Sequence, residues 1–353
     1  MVRRKAKKKT LPKDFKELLE KGNLAKLKAT FETCDVNARG GYAKQSALAF
    51  DECPDELVRW LVSQGADLSA ADTRGNTPLH SRAGSWRGSI SVLLELGADV
   101  NAVNYSMDTP LHAAAERKNA EHAAQLLARG AKVDVRNKDG LTPLGLALRS
   151  LVNAELDQMP ALVKVLLGAG ASKTPSMKSY VERIGESFEF HRENFSSERL
   201  PEADAALQFL YRTFEVTPVP RRVRHDGKSI IVVKATTWQK QHAELCDLLV
   251  PARGSAETVQ GEVIRISGNI SGEWERNGGM NWDQAYAAMA RAFAGYVERG
   301  TPLDESEVDE IKSIVRSLSK ENGRGNARLG ELAVAWVLRN PRPLPLETPS
   351  YKR

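Results

Sequence analysis

Thr77-Pro78-Leu79-His80 recurs as Thr109-Pro110-Leu111-His112 and again as Thr142-Pro143-Leu144-Gly145, at spacings of 32 and 33 residues. A second phrase keeps the same beat. Cys34-Asp35-Val36-Asn37-Ala38 is echoed by Ala66-Asp67-Leu68-Ser69-Ala70, by Ala98-Asp99-Val100-Asn101-Ala102 and by Ala131-Lys132-Val133-Asp134-Val135. Two phrases locked to one period define an internal repeat, whose units bury their apolar faces against their neighbours. Pro78 and Pro110 stand where a helix begins, because a first-turn residue has no use for an N–H. The threonine before each can cap that end. Ile90, Val92, Leu93, Leu94 and Leu96 make the apolar face of one second helix, and Ala123, Ala124, Leu126 and Leu127 that of another. Gly65, Gly97, Gly130 and Gly170 close these helices, as C-terminal glycines do.

On these two phrases, and on the run from Thr109 to Ala114, the repeat resembles the ankyrin repeat over just under half of the chain. The resemblance implies about five units between positions 10 and 175, with the end units acting as caps. It implies that His80 and His112 are structural, bonding backbone of the neighbouring unit. It also implies that a protein partner meets the loop tips and the concave face of the first helices. Carried onto this chain, the tips are Thr73, Arg74 and Asn76, then Tyr105, Ser106 and Asp108, then Lys138, Asp139 and Leu141. Met107 joins them because it stands where the family favours glycine, as Gly75 and Gly140 do in the flanking units. It either changes the turn or protrudes as a contact. The concave-face candidates are Ser81, Arg82, Trp86, Arg87, Arg117, Lys118 and Arg149. Tyr, Trp, Met and Arg are the types that concentrate binding energy at interfaces. The last unit runs 40 residues from Gly130 to Gly170, and its extra residues, Ser150 to Pro160, read as a surface loop.

The chain has 353 residues, room for two domains, and 41% hydrophobic residues, enough for a packed core. No apolar run approaches the roughly 18 to 20 residues of a membrane span. Cys34, Cys53 and Cys246 are few, odd in number and far apart, which fits a reduced cytoplasm better than a disulfide scaffold. Arg3, Arg4, Lys5, Lys7, Lys8 and Lys9 account for the whole net charge of +6. The basic character therefore belongs to a tail, read as disordered over 1–9, through which nucleic acid or an acidic partner is reachable.

From Met177 the period fades. Ser176–Asn194 and Glu202–Phe214 read as two more helices that seal the repeats. Residues 176–234 then form a helical cap, a linker at Val216-Thr217-Pro218-Val219-Pro220 and one β-hairpin. That hairpin turns at Asp226-Gly227 between Arg221-Arg222-Val223-Arg224 and Ile230-Ile231-Val232-Val233. Residues 235–340 read as a compact helical domain, with helices over 238–250, 256–276, 282–299, 304–319 and 326–339. Pro341, Pro343, Pro345 and Pro349 make a Pro-rich tail of 341–353. The expected fold is mainly α: an ankyrin-repeat solenoid followed by a smaller helical domain.

Candidate chemistry is sparse. His242 and Cys246 lie four apart on one helical face, but a zinc site wants four ligands. Glu257, Glu262 and Glu273 line one long helix, where carboxylates more often make a charged face than an acid–base pair. Asn277-Gly278-Gly279 lacks the Lys-Ser/Thr ending of a phosphate loop and follows no strand. No catalytic, metal or cofactor residue is therefore assigned. The expectation is a cytoplasmic, non-enzymatic adaptor or inhibitor of a protein partner, in one version an immunity-type neutraliser of a bacterial toxin. An enzyme or ligand site in the helical half, targeted by the repeats, is one alternative. A nucleic-acid role for the basic tail is another. The sequence does not speak to oligomeric state.

Overall fold

The computed structural model describes residues 6–319 and 322–351. The fold is mainly helical with one small sheet, and it divides into two compact units, Met1–Phe188 with Ser197–Val219 and Glu189–Ser196 with Pro220–Arg353.

The first unit opens with strand β1 (Lys8–Thr10), helices α1 (Phe15–Lys21) and α2 (Leu24–Thr33), and strands β2 (Cys34–Gly40) and β3 (Gln45–Ser46). β1 runs parallel to β2, and β3 antiparallel to it. Lys8 and Lys9, expected in a disordered tail, are thus in a strand, and the Lys7 ammonium donates to Phe31 O at 2.7 Å. Their place follows from Leu11, whose buried side chain anchors the chain beside β2; Arg3, Arg4 and Lys5 lie outside the described residues. Helix pairs follow: a 3-10 turn at Ala47–Ala49 with α3 (Asp55–Ser63), α4 (Pro78–Ala83) with α5 (Ser91–Glu95), α6 (Pro110–Glu116) with α7 (Ala120–Ala128), and α8 (Pro143–Arg149) with α9 (Met159–Gly168). Two longer helices, α10 (Pro175–His191) and α11 (Leu200–Phe214), come next.

The core of this unit is the stacked inner face of the pairs: Leu57, Leu61, Leu79, Leu93, Leu111, Leu126, Leu144 and Leu166 are all fully buried. At one end Phe15 meets Phe31 and Phe50 edge-on, at 6.0 and 5.5 Å. At the other, Val181 and Phe188 of α10 and Leu207 and Leu210 of α11 seal the stack. Gly185 is needed there, since a Cβ would fall 1.9 Å from the Tyr211 hydroxyl. The residues expected as a loop, 150–160, are instead built in. Asn153–Gln158 is a 3-10 helix with Leu156 fully buried, and Asn153 and Ala154 bond Ser187 O and the Arg199 guanidinium.

The second unit places α13 (Val259–Asn277) among α12 (Trp238–Leu249), α14 (Gln284–Tyr296) and α16 (Asn326–Arg339), with α15 (Glu305–Ser317) against α14 and α16. Val263, Ile264, Ile270, Phe293, Leu332 and Trp336 form its core. The hairpin expected at 221–233 does not form. Arg222 donates to Asp247 O and Cys246 O and stacks on Phe190, 4.2 Å from the ring centre. The His225 amide donates to Leu248 O, and that of Ile231 to Pro341 O. The segment therefore caps the C-terminal carbonyls of α12. The Pro-rich segment is likewise part of this unit rather than a tail. Leu344 exchanges bonds with Val259 N–H and the Gln260 carboxamide, and Tyr351 donates to Glu262 at 2.5 Å. Prolines suit this extended path, which offers carbonyls more than it needs donors. Residues 352–353 lie outside the described residues.

Candidate functional site

The three complete loop tips share one turn. Asp72 Oδ1 accepts the amides of Arg74 and Asn76, at 2.7 and 2.9 Å. Asn104 Oδ1 does so for Ser106 and Asp108, both at 2.9 Å, and Asn137 Oδ1 for Asp139 and Leu141, both at 3.0 Å. Such side-chain-closed turns need a left-handed residue at the tip. Gly75, Met107 and Gly140 occupy it, at φ of 83, 61 and 74°. Met107 therefore leaves the turn unchanged and protrudes, at 46% exposure.

Each tip is tied to the next. The Thr73 amide donates to Ala43 O (2.9 Å), Tyr105 to Arg74 O (3.1 Å) and Lys138 to Ser106 O (2.9 Å). Asn104 Nδ2 reaches Asn76 Oδ1 and Asn137 Nδ2 reaches Asp108 Oδ1. His80 and His112 buttress the ladder from behind. Nδ1 of each faces its own Thr77 or Thr109 amide, at 3.2 and 3.1 Å, and Nε2 meets Asp108 O and Leu141 O, at 2.9 and 3.1 Å. An Nδ1 that accepts leaves the proton on Nε2, so both rings are neutral bridges between units. Burial holds both pKa values below the ordinary histidine value.

Beneath the ladder lie two adjoining concavities of about 540 and 700 Å³, both lined by Arg74, Ser81, Gly84 and Arg117. Asn76, Tyr105, Ser106 and Asp108 also line the first, and Trp86 and Arg87 the second. Thr73 and Lys138 are exposed on the ladder beside them. Trp86 and Tyr105 are 52 and 66% exposed. The Tyr105 ring lies so close over Gly75 that a Cβ there would be 2.7 Å from it.

Three sequence candidates are not surface residues. Arg82 is 1% exposed and donates to Leu48 O (2.8 Å), Ser89 O (3.1 Å) and Cys53 O (3.0 Å), stapling three segments from inside. Its place in α4 matches Ala114 and Ala147 in the sister helices, both fully buried, so this register points inward. Lys118 is buried on Glu155 at 2.7 Å, with Ser150 and Glu116 carbonyls around it. Leu141 is buried at the base of its turn. Arg149 and Asp139 face outward but are bound to each other at 2.6 Å.

The structure adds Tyr42, Lys16 and Asp51 to the second concavity, with Tyr42 98% exposed. Counting 32 residues back from Arg74 lands on Tyr42, a signal hidden because the first units lack the Thr-Pro-Leu phrase.

In the second unit the candidate chemical groups are tied into the fold. Glu262 is fully buried against Arg265 at 2.6 Å, and Glu273 accepts from Asn277 and Asn281. Glu257 holds Arg224 at 2.6 Å. His242 Nε2 meets the Ser267 hydroxyl at 2.8 Å, and burial pushes the Cys246 thiol up. Among the described residues no three His, Cys, Asp or Glu side chains converge as a metal site, and no helix is long and apolar enough to cross a membrane.

Residues 42–137 and 86–177 match the family model of ankyrin repeats, in its three-copy form. No curated protein matches the chain.

Proposed function

With residues 42–177 as ankyrin repeats, modules of protein–protein interaction, we propose that this protein is a non-enzymatic adaptor or inhibitor that grips one protein partner across the concavities and tips of its first unit. The observation that carries this reading is the row of exposed aromatic side chains, Tyr42, Trp86 and Tyr105, held beside a hydrogen-bonded ladder. A pre-ordered surface loses little entropy on binding, and aromatic residues supply large contact area at low cost in rotamer freedom. An immunity-type neutraliser of a toxin is one form of such an inhibitor, working by occlusion, and a co-encoded toxic neighbour is its signature. The setting is the cytoplasm.

The test is tagged purification from the native host, with and without nuclease, in parallel with Trp86→Ala/Tyr105→Ala/Met107→Ala. A stoichiometric, nuclease-resistant protein that the variant loses supports the proposal. A partner retained by the variant moves the binding site off this face. One lost to nuclease favours the basic N-terminal tail.

A further inference from the structure

Resting on the concave face as the partner site, we infer that the partner enters it with a segment carrying spaced Asp and Glu side chains among apolar ones. Arg74 and Arg117 line both concavities and Arg87 the second. All three are exposed, and among the described residues none is in an ion pair; Arg117 uses only Nε, on Gly84 O at 3.2 Å. The carboxylates of the same surface are largely committed. Asp51 takes the Ser85 hydroxyl, Glu52 pairs with Lys16 at 3.1 Å, and Asp108 takes the Asn137 amide at 2.8 Å. Among its charged groups the surface leaves the three guanidinium groups and the Glu116 carboxylate to a partner. Cations thus outnumber anions in what it offers, and the planar guanidinium forks match carboxylates in pairs.

A nucleic-acid backbone fits less well. Its affinity comes from net neutralisation of many phosphates, and this face sets Asp51, Glu52, Asp108 and Glu116 among its four cations. A polyanion meets no net field there. A protein segment with separated carboxylates can meet the arginines and pass between the acids, while Tyr42, Trp86 and Tyr105 cover its apolar residues.

The experiment selects from a displayed library of random dodecapeptides on the full chain. Arg74→Glu/Arg87→Glu/Arg117→Glu and Tyr42→Ala/Trp86→Ala/Tyr105→Ala serve as parallel baits, each first shown to melt like the parent. The expected survivors on the parent are enriched several-fold in Asp and Glu, the bias inverts to Lys and Arg on the charge-reversed bait, and the aromatic-free bait retains neither set. Survivors that need the aromatic residues but carry no acidic bias overturn this inference and leave the concave face as the partner site. No survivors, or survivors indifferent to both variants, overturn both. A short oligo-dT strand that binds the parent at low salt and is released by the charge reversal overturns the inference in favour of nucleic acid.

Discussion

Arg82→Met tests whether the buried guanidinium is a staple. The replacement keeps the unbranched stem as far as the place of Nε and removes every donor. Two carbonyls, of Leu48 and Cys53, then lie in the interior without their partner, while that of the exposed Ser89 turns to water. An acceptor stranded in this way costs about 1–3 kcal/mol. Relief from holding a cation out of water returns part of that sum, which leaves a net loss of about 3 kcal/mol. In a folded unit of this size the loss lowers the melting temperature by about 6–12 °C. A solenoid couples mainly to its neighbours, so the damage concentrates on the units that Arg82 joins. Hydrogen exchange reads this directly. Amides of Leu57 and Leu61 in α3 exchange about 100-fold faster, while those of Val163 and Leu166 in α9 change far less. A variant that melts within about 2 °C of the parent, with α3 exchange unchanged, refutes the reasoning. Burying the charge would then cost as much as its three bonds return.

Met107→Gly relieves a left-handed non-glycine residue, worth about 1–2 kcal/mol, against a backbone-entropy loss of up to about 1 kcal/mol. The urea midpoint is expected to rise, and a partner that uses the protruding side chain binds less tightly; a lower midpoint contradicts the assignment of strain at this tip. His80 and His112 have folded pKa values below their unfolded value of about 6.5. The unfolded chain therefore takes up protons first, and the contribution of these rings is full above pH ~6.5 and falls as pH drops below it, by up to about 1.4 kcal/mol per unit for each ring. Urea titrations from pH 7.5 down to 5.5 should show this slope reduced in His112→Gln; an unchanged slope assigns it elsewhere. Tyr351→Phe removes the hydroxyl that donates to buried Glu262 and is expected to destabilise the second unit by about 2 kcal/mol, read as faster exchange of α13 amides. No change there means that the C-terminal segment does not hold α13.

The repeat was legible because its signals are local. A threonine cap, a first-turn proline, a closing glycine and a 32–33-residue beat each act within a few residues of themselves, and Thr77, Pro110 and Gly130 do in the fold what their neighbours in sequence imply. The helices of the second unit were legible for the same reason, down to the start of α12 at Trp238 and both ends of α16. What failed was set by partners distant in sequence. Asp226-Gly227 is a sound hairpin signal, but the backbone of Ile231 is bonded to Pro341, more than a hundred residues on. Arg82 looks like an exposed arginine until its register is compared with Ala114 and Ala147. Lys118 and Glu155 meet across an insertion that sequence alone reads as a loop. Tyr42 escaped because its unit carries the ladder geometry without the phrase that marks it elsewhere. The resemblance pointed to one face, and burial then separated the residues exposed on it from those built into the fold.

Gly145 stands where His80 and His112 bridge to the next tip. The helix after the α8–α9 pair, α10, carries no such tip, and Met177 Cε lies 3.6 Å from where a Cβ on Gly145 would be. An imidazole there would have to displace that methionine and would find no tip carbonyl to bond. The array is thus ended by an omission as much as by a cap. In modular terms the joint at Thr109 accepts another unit of the same kind, since both sides of it present matching turn and bridge. The joint at Thr142 does not. Lengthening the ladder of tips by one repeat is a cassette insertion ahead of residue 142. The same insertion after Gly170 requires restoring the histidine and remaking the interface with α10.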